Sequence, residues 1–169
     1  MIVLGIDPGT ASTGYGVVKS DPARPGRLLA LDGGVIETAA GLPLERRIAT
    51  IHARVCELLD EHAPAAVAIE DLYFGANARS ALAVGQARGV VLLAAGQRGL
   101  PCGSYTPQQV KSAVCGTGRA EKAQVQQMVQ RLLALPELPR PDHAADALAV
   151  AICHLERAPL ANALMEAAQ

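Results

Sequence analysis

At 169 residues the chain suits one domain with a proper hydrophobic core and leaves little room for a second. Half of the residues are hydrophobic and 18% are charged, which excludes an intrinsically disordered chain. The net charge of −1 supplies no overall pull on nucleic acid, but residues 71–140 hold eight Lys/Arg against three Asp/Glu, a net +5, between flanks of −3 each. A basic middle suits a polyanion-binding face, and equally the solvated surfaces of ordinary helices.

Met1 to Ile6 runs straight into Asp7 with no basic leader, and reads as a strand rather than a signal peptide. Pro8-Gly9 marks a turn, and Gly14 to Lys19 a second strand paired with the first as a hairpin. After the Pro-rich turn Asp21 to Gly26 comes a third strand within Leu28 to Thr38, with a bulge expected at Gly33-Gly34. A helix follows from about Pro43 to His62, with Leu44, Ile48, Ile51, Val55, Leu58 and Leu59 on one face. Ala65 to Glu70 is short and apolar, as expected of a buried, parallel, central strand.

Asn77 to Arg98 reads as helical, with Ala81, Gly85 and Gly89 four apart, a spacing that lets another helix approach closely. Its apolar run Val90 to Ala95 is far too short to span a bilayer. Ser104-Tyr105 sits on a fifth strand, and Thr106 caps a short helix from Pro107 to Val114. Ala120 to Leu135 is a helix, Pro139-Arg140-Pro141 a stiff loop, and Asp142 the cap of a last helix ending near Arg157. The expected organisation is one domain over residues 1–157 and a loosely ordered tail over 158–169. A meander followed by α/β crossovers gives a five-stranded mixed sheet with helices on both faces. Cys56, Cys102, Cys115 and Cys153 match no zinc spacing and read as reduced, mostly buried thiols of a cytoplasmic protein.

Three acidic residues stand out by position. Asp7 ends the first strand, Glu70 ends the fourth, and Asp146 lies early in the last helix, with His143 one turn before it. In a sheet of this order the first and fourth strands are neighbours, so Asp7 and Glu70 come side by side. Clustered carboxylates repel, and hard oxygen ligands select Mg²⁺ or Mn²⁺ to relieve that repulsion. Such ions clamp a phosphodiester and activate water. Taken one at a time, these residues are also ordinary turn formers, strand ends and helix-start charges. Asp7-x-Gly9-Thr10-x-Ser12 is similar to the phosphate loop of actin-like ATPases and sugar kinases as well. Those proteins carry two such domains, for which 169 residues leave no space. Tyr73 and Phe74 follow Glu70 on a loop without core periodicity; in a chain this poor in aromatics they suit base stacking, the alternative being packing of the loop.

Gly5-Ile6-Asp7-Pro8-Gly9-Thr10 with Thr13-Gly14-Tyr15-Gly16 resembles the opening of the RuvC family of Holliday junction resolvases. So do Ala68-Ile69-Glu70, the stretch Asn77 to Gly89, Gln109-Val110-Lys111, Ala120-Glu121-Lys122-x-Gln124-Val125 and Ala144-Ala145-Asp146-Ala147-Leu148-Ala149, in family order from Ile2 to about His154. The resemblance implies an RNase H-like fold and a homodimer whose two Mg²⁺-dependent sites (Mn²⁺ being a substitute) nick two symmetric strands of a four-way junction, in recombination and repair. It makes Asp7, Glu70 and Asp146 metal-binding catalytic carboxylates and puts His143 at the fourth position, where many members have Asp. That departure lowers the site's charge by one and offers an imidazole as Mn²⁺ ligand or proton carrier. Lys111 and Lys122 match basic positions at the scissile DNA. Tyr73 matches a stacking aromatic, with Phe74 beside it, and Arg79 joins them in the basic DNA-binding segment. RuvA and RuvB, the family's branch-migration proteins, are the implied partners. Two alternatives stay open from the residues: an RNase H-like nuclease acting on RNA, and a junction-binding module with a dead site.

Overall fold

The computed structural model describes residues 1–71 and 78–167, with side chains over 1–71 and 81–157. Its elements are β1 (Ile2–Asp7), β2 (Ser12–Ser20), β3 (Leu28–Glu37), α1 (Leu44–His62), β4 (Ala66–Glu70), α2 (Ala78–Gly96), β5 (Cys102–Tyr105), α3 (Pro107–Cys115), α4 (Lys122–Leu132) and α5 (Asp142–Ala167). The strands form one sheet in the order β3-β2-β1-β4-β5, antiparallel across β3, β2 and β1 and parallel across β1, β4 and β5. This is the expected five-stranded mixed sheet.

Side-chain alternation divides the core in two. Leu4, Ile6, Val67 and Ile69 face α1 and α2, where Ile51, Val55, Leu58, Ala87 and Val91 meet them. Val3 and Ala68 face the other way, onto α3, α4 and α5. The same alternation turns Asp7 and Glu70, each an even step from those two, toward α5. Between Ala144 and Leu155, α5 is buried on nearly every side, as a helix rich in Ala, Val and Ile in the middle of a layer should be.

Glycines let α5 lie directly on the sheet. A Cβ at Gly5 would collide with the Ala147 carbonyl oxygen, and one at Gly14 with that of His143. Gly14 is the antiparallel partner of Asp7. The first turn of α5 therefore sits where Asp7 ends its strand.

Several boundaries differ from expectation. The irregularity in β3 is opposite Val17/Val18, where Leu31 is the extra residue; Gly33 and Gly34 pair regularly with Gly16 and Tyr15. Gly34 is small because the Tyr15 ring covers it, a Cβ there lying 2.8 Å from the Tyr15 hydroxyl. Thr106 caps α3 as expected, in a capping box with Gln109, but α4 starts later than expected, at Lys122, because Glu121 and Gln124 form a second capping box. Helix α5 runs to Ala167, past the end expected at Arg157, through a segment rich in the strong helix formers Ala and Leu. Of the four free thiols only Cys153 is buried; Cys102 is exposed, since β5 is an edge strand with one open face. Among the described residues no helix is long and apolar enough to cross a membrane.

Candidate active site

Asp7 closes β1 just before the turn at Pro8-Gly9. The turn is fastened from the next strand: the buried Thr13 hydroxyl donates to the Gly9 carbonyl. Across β1, Ile6 is level with Ile69 of β4, so the next residue on each strand is a carboxylate, Asp7 and Glu70. From above, α5 brings His143 and Asp146 down onto them. Asp7, His143 and Asp146 each offer a ligand atom, all within 4.8 Å of one another, and His143 Nδ1 lies 2.6 Å from Asp7 Oδ2. The Asp7 side chain is 15% exposed and that of His143 48%, so the cluster has a sheltered floor and an open lip.

The electrostatics are those of a crowded carboxylate group. Burial pushes the Glu70 carboxyl up to about 8, and the charges of Asp7 and Asp146 add to the rise. Burial also raises Asp146, against the pull of Lys122. Lys122 Nζ lies 3.1 Å from Asp146 and 3.3 Å from Asp142. Burial lowers Lys122, but those two carboxylates outweigh it and hold the ammonium above its usual range. Beside Glu70 and Asp146 a cleft of about 210 Å³ is walled by Lys111, Lys122, Val110 and Pro107.

Asp7, Glu70, His143, Asp146, Lys111 and Lys122, singled out from the sequence, thus come together at one end of the sheet. Tyr73 and Phe74 lie outside the described residues, as does the side chain of Arg79. Two further residues had no sequence reading of this kind. Asp142, expected to cap α5, instead engages α4: its Oδ1 accepts a 2.7 Å hydrogen bond from Gln126 Nε2 and its Oδ2 faces Lys122. The four-residue spacing of Lys122 and Gln126 puts both on one face of α4, but nothing in the sequence names Asp142 as their partner. Arg88 joins the ends of β4 and β5, its Nη2 donating 2.6 Å to Ser104 Oγ and lying 3.4 Å from Asp71.

A family model described as crossover junction endodeoxyribonuclease RuvC matches residues 3–154. The chain belongs to the RuvC family. It is 57% identical over 159 residues to the crossover junction endodeoxyribonuclease RuvC of Moorella thermoacetica, covering 94% of this chain and 93% of that protein. Among solved structures it is similar to Thermus thermophilus RuvC, with a TM-score of 0.88 at 43% identity over 95% of this chain and 97% of the other. The similarity to T. thermophilus RuvC in complex with Holliday junction substrate gives a TM-score of 0.90, also at 43% identity, over 95% of this chain and 96% of the other. The fold is accordingly the RNase H-like one expected for the family.

Proposed function

We propose that this RuvC-family chain is a crossover junction endodeoxyribonuclease that resolves Holliday junctions, with Asp7, Glu70, His143 and Asp146 as its metal-holding and catalytic side chains. The observation that carries the reading is the meeting of Asp7, His143 and Asp146, with Glu70 buried next to Asp7 and Asp146, beside a cleft walled by Lys111 and Lys122.

The donor set fits a hard divalent cation: three carboxylates and one imidazole converge, and Glu70, raised to about 8 by burial and then by the charges of Asp7 and Asp146, is a buried carboxyl whose charged form a cation would stabilise. Mg²⁺ fits this set, and the imidazole makes Mn²⁺ an acceptable substitute. When bound, such an ion polarises the phosphodiester and makes a water acidic enough to attack it. Asp7 and Glu70, fixed by adjacent strands, hold the reacting phosphate against the sheet end. Asp146 holds it from the helix side. Lys122 is already shared between two carboxylates, and turns its ammonium to the phosphate when Asp146 is otherwise engaged. Lys111 faces the same cleft and binds the strand electrostatically. His143, with Nδ1 against Asp7, either completes the ligand set or carries a proton through Nε2. In-line attack leaves 3′-hydroxyl and 5′-phosphate ends.

A four-way junction is near two-fold, so paired cuts call for a two-fold dimer. The outer face of α2 suits that role. Leu82 is 65% and Leu93 53% exposed, and nothing lies within 4 Å of a Cβ at Gly89 between them. Apolar surface of this kind on a helix is suited to burial against a second copy. Tyr73, Phe74 and Arg79 are assigned to the DNA side, and RuvA and RuvB as partners, on the family resemblance.

The test is incubation with a synthetic four-way junction, a linear duplex and an RNA–DNA hybrid, each with and without Mg²⁺. Cleavage of the junction alone, and only with the metal, is expected. Preferential cutting of the hybrid would point to an RNA-directed nuclease, and metal-indifferent binding without cutting to a dead module.

A further inference from the structure

We propose that Arg140 is a phosphate-binding residue that seats the DNA strand on the His143 side of the carboxylate cluster. The inference rests on the proposed junction substrate. A strand cut at Asp7, Glu70 and Asp146 must continue past them in both directions. In one direction lies the cleft with Lys111 and Lys122. In the other, a second and larger cleft of about 590 Å³ opens where α4 and the loop before α5 face the start of α5. His143 belongs both to its wall and to the cluster, and Asp146 to both the cluster and the first cleft, so the two spaces flank the site on opposite sides.

Arg140 is the cation in that wall. It is exposed, and among the described residues it forms no ion pair. The acid in the same wall, Asp142, is already bound by Lys122 at 3.3 Å and by Gln126 at 2.7 Å, so it neither holds Arg140 nor strongly repels an incoming phosphate. Arg140 stands between Pro139, which is buried, and Pro141, and both rings fix their own φ. The guanidinium is thus carried on backbone that loses little freedom when a ligand binds. Beside it Leu138, 39% exposed, and Pro141 offer apolar surface to a sugar face. A planar cation next to apolar surface, in line with a nuclease site, matches the chemistry of a phosphodiester one or more steps from the cut.

Binding is the readout, because it does not depend on strand cleavage. Junction affinity is measured by fluorescence anisotropy without divalent metal, for the wild type, Arg140→Ala and Arg140→Lys, across a salt series. Arg140→Ala should weaken binding roughly three- to ten-fold and reduce the salt slope by about 1, with Lys restoring most of both. Single phosphates are then replaced by neutral methylphosphonates. The wild type should lose affinity at one or two positions on one flank of the cut, and Arg140→Ala should lose nothing more there. Equal sensitivity of both proteins at every position, or an unchanged salt slope, overturns the inference. A wild type that binds the junction but does not cut it counts against the proposed nuclease function and leaves the Arg140 result to be judged on its own.

Discussion

His143 Nδ1 meets Asp7 Oδ2 at 2.6 Å across the joint between α5 and β1. The contact exists because Gly14, opposite Asp7 on β2, has no side chain to keep the His143 backbone away. Gly14→Ala should therefore harm activity and stability together. The obstructing atom is a carbonyl oxygen, so the start of α5 must move, and a displacement near 1 Å costs on the order of 100-fold in rate. Overpacking of this kind costs about 1–3 kcal/mol in stability. Single-turnover cleavage and thermal unfolding of the same preparation check the two sides; a variant that cuts normally would show that α5 tolerates the shift.

His143→Ala should depress cleavage strongly, and more in Mn²⁺ than in Mg²⁺, since imidazole is the softer donor of the set. The check is the ratio of rates in the two metals. Equal activity of variant and wild type in both would make His143 a bystander.

The raised carboxyl of Glu70 predicts a pH signature. A folded-state value of about 8 against an ordinary 4.5 means that the metal-free fold holds this proton more tightly than the unfolded chain does. That contribution is complete below the ordinary value and is lost as pH climbs through about 8. A divalent cation requires the deprotonated group, so its stabilising effect should be larger at about pH 8.5 than at about pH 6. Thermal unfolding with and without Mg²⁺ at the two values tests this, and an identical metal increment at both would contradict it.

Much of the candidate site is legible in the sequence. Acidic residues terminating two apolar segments, Ile2 to Ile6 and Ala65 to Ile69, are strong position markers, because strand alternation then decides which face they share. The meander-then-crossover order placed those two strands side by side. Less legible were features set by contacts distant in sequence. Gly33-Gly34 reads as a bulge, yet Gly34 serves the Tyr15 ring and the extra residue is Leu31. Asp142 reads as a helix cap, since nothing local announces that Gln126 and Lys122 will claim its oxygens. Capping boxes, being local, are partly readable: Thr106 announces itself as a cap, while Glu121 does not because Glu is an unusual cap.

Leu93→Lys on the exposed face of α2 should leave the monomer folded and split the dimer, because that side chain is 53% exposed in the single chain. Sedimentation at working concentration should change from dimer to monomer, and paired cutting should be lost with it. A wild type that sediments as a monomer, or a variant that stays dimeric, would remove α2 as the interface.

The most direct measurement maps cuts on a synthetic four-way junction in Mg²⁺, for the wild type and Asp7→Asn. Two nicks at symmetric positions in opposing strands are expected from the wild type, each leaving a 5′-phosphate and so sealable by ligase. Asp7→Asn should bind the junction and make neither nick, because the change removes charge at the β1 end while keeping the side chain's shape. Unpaired nicks from the wild type, or normal paired nicking by Asp7→Asn, would contradict the assignment of this site to junction resolution.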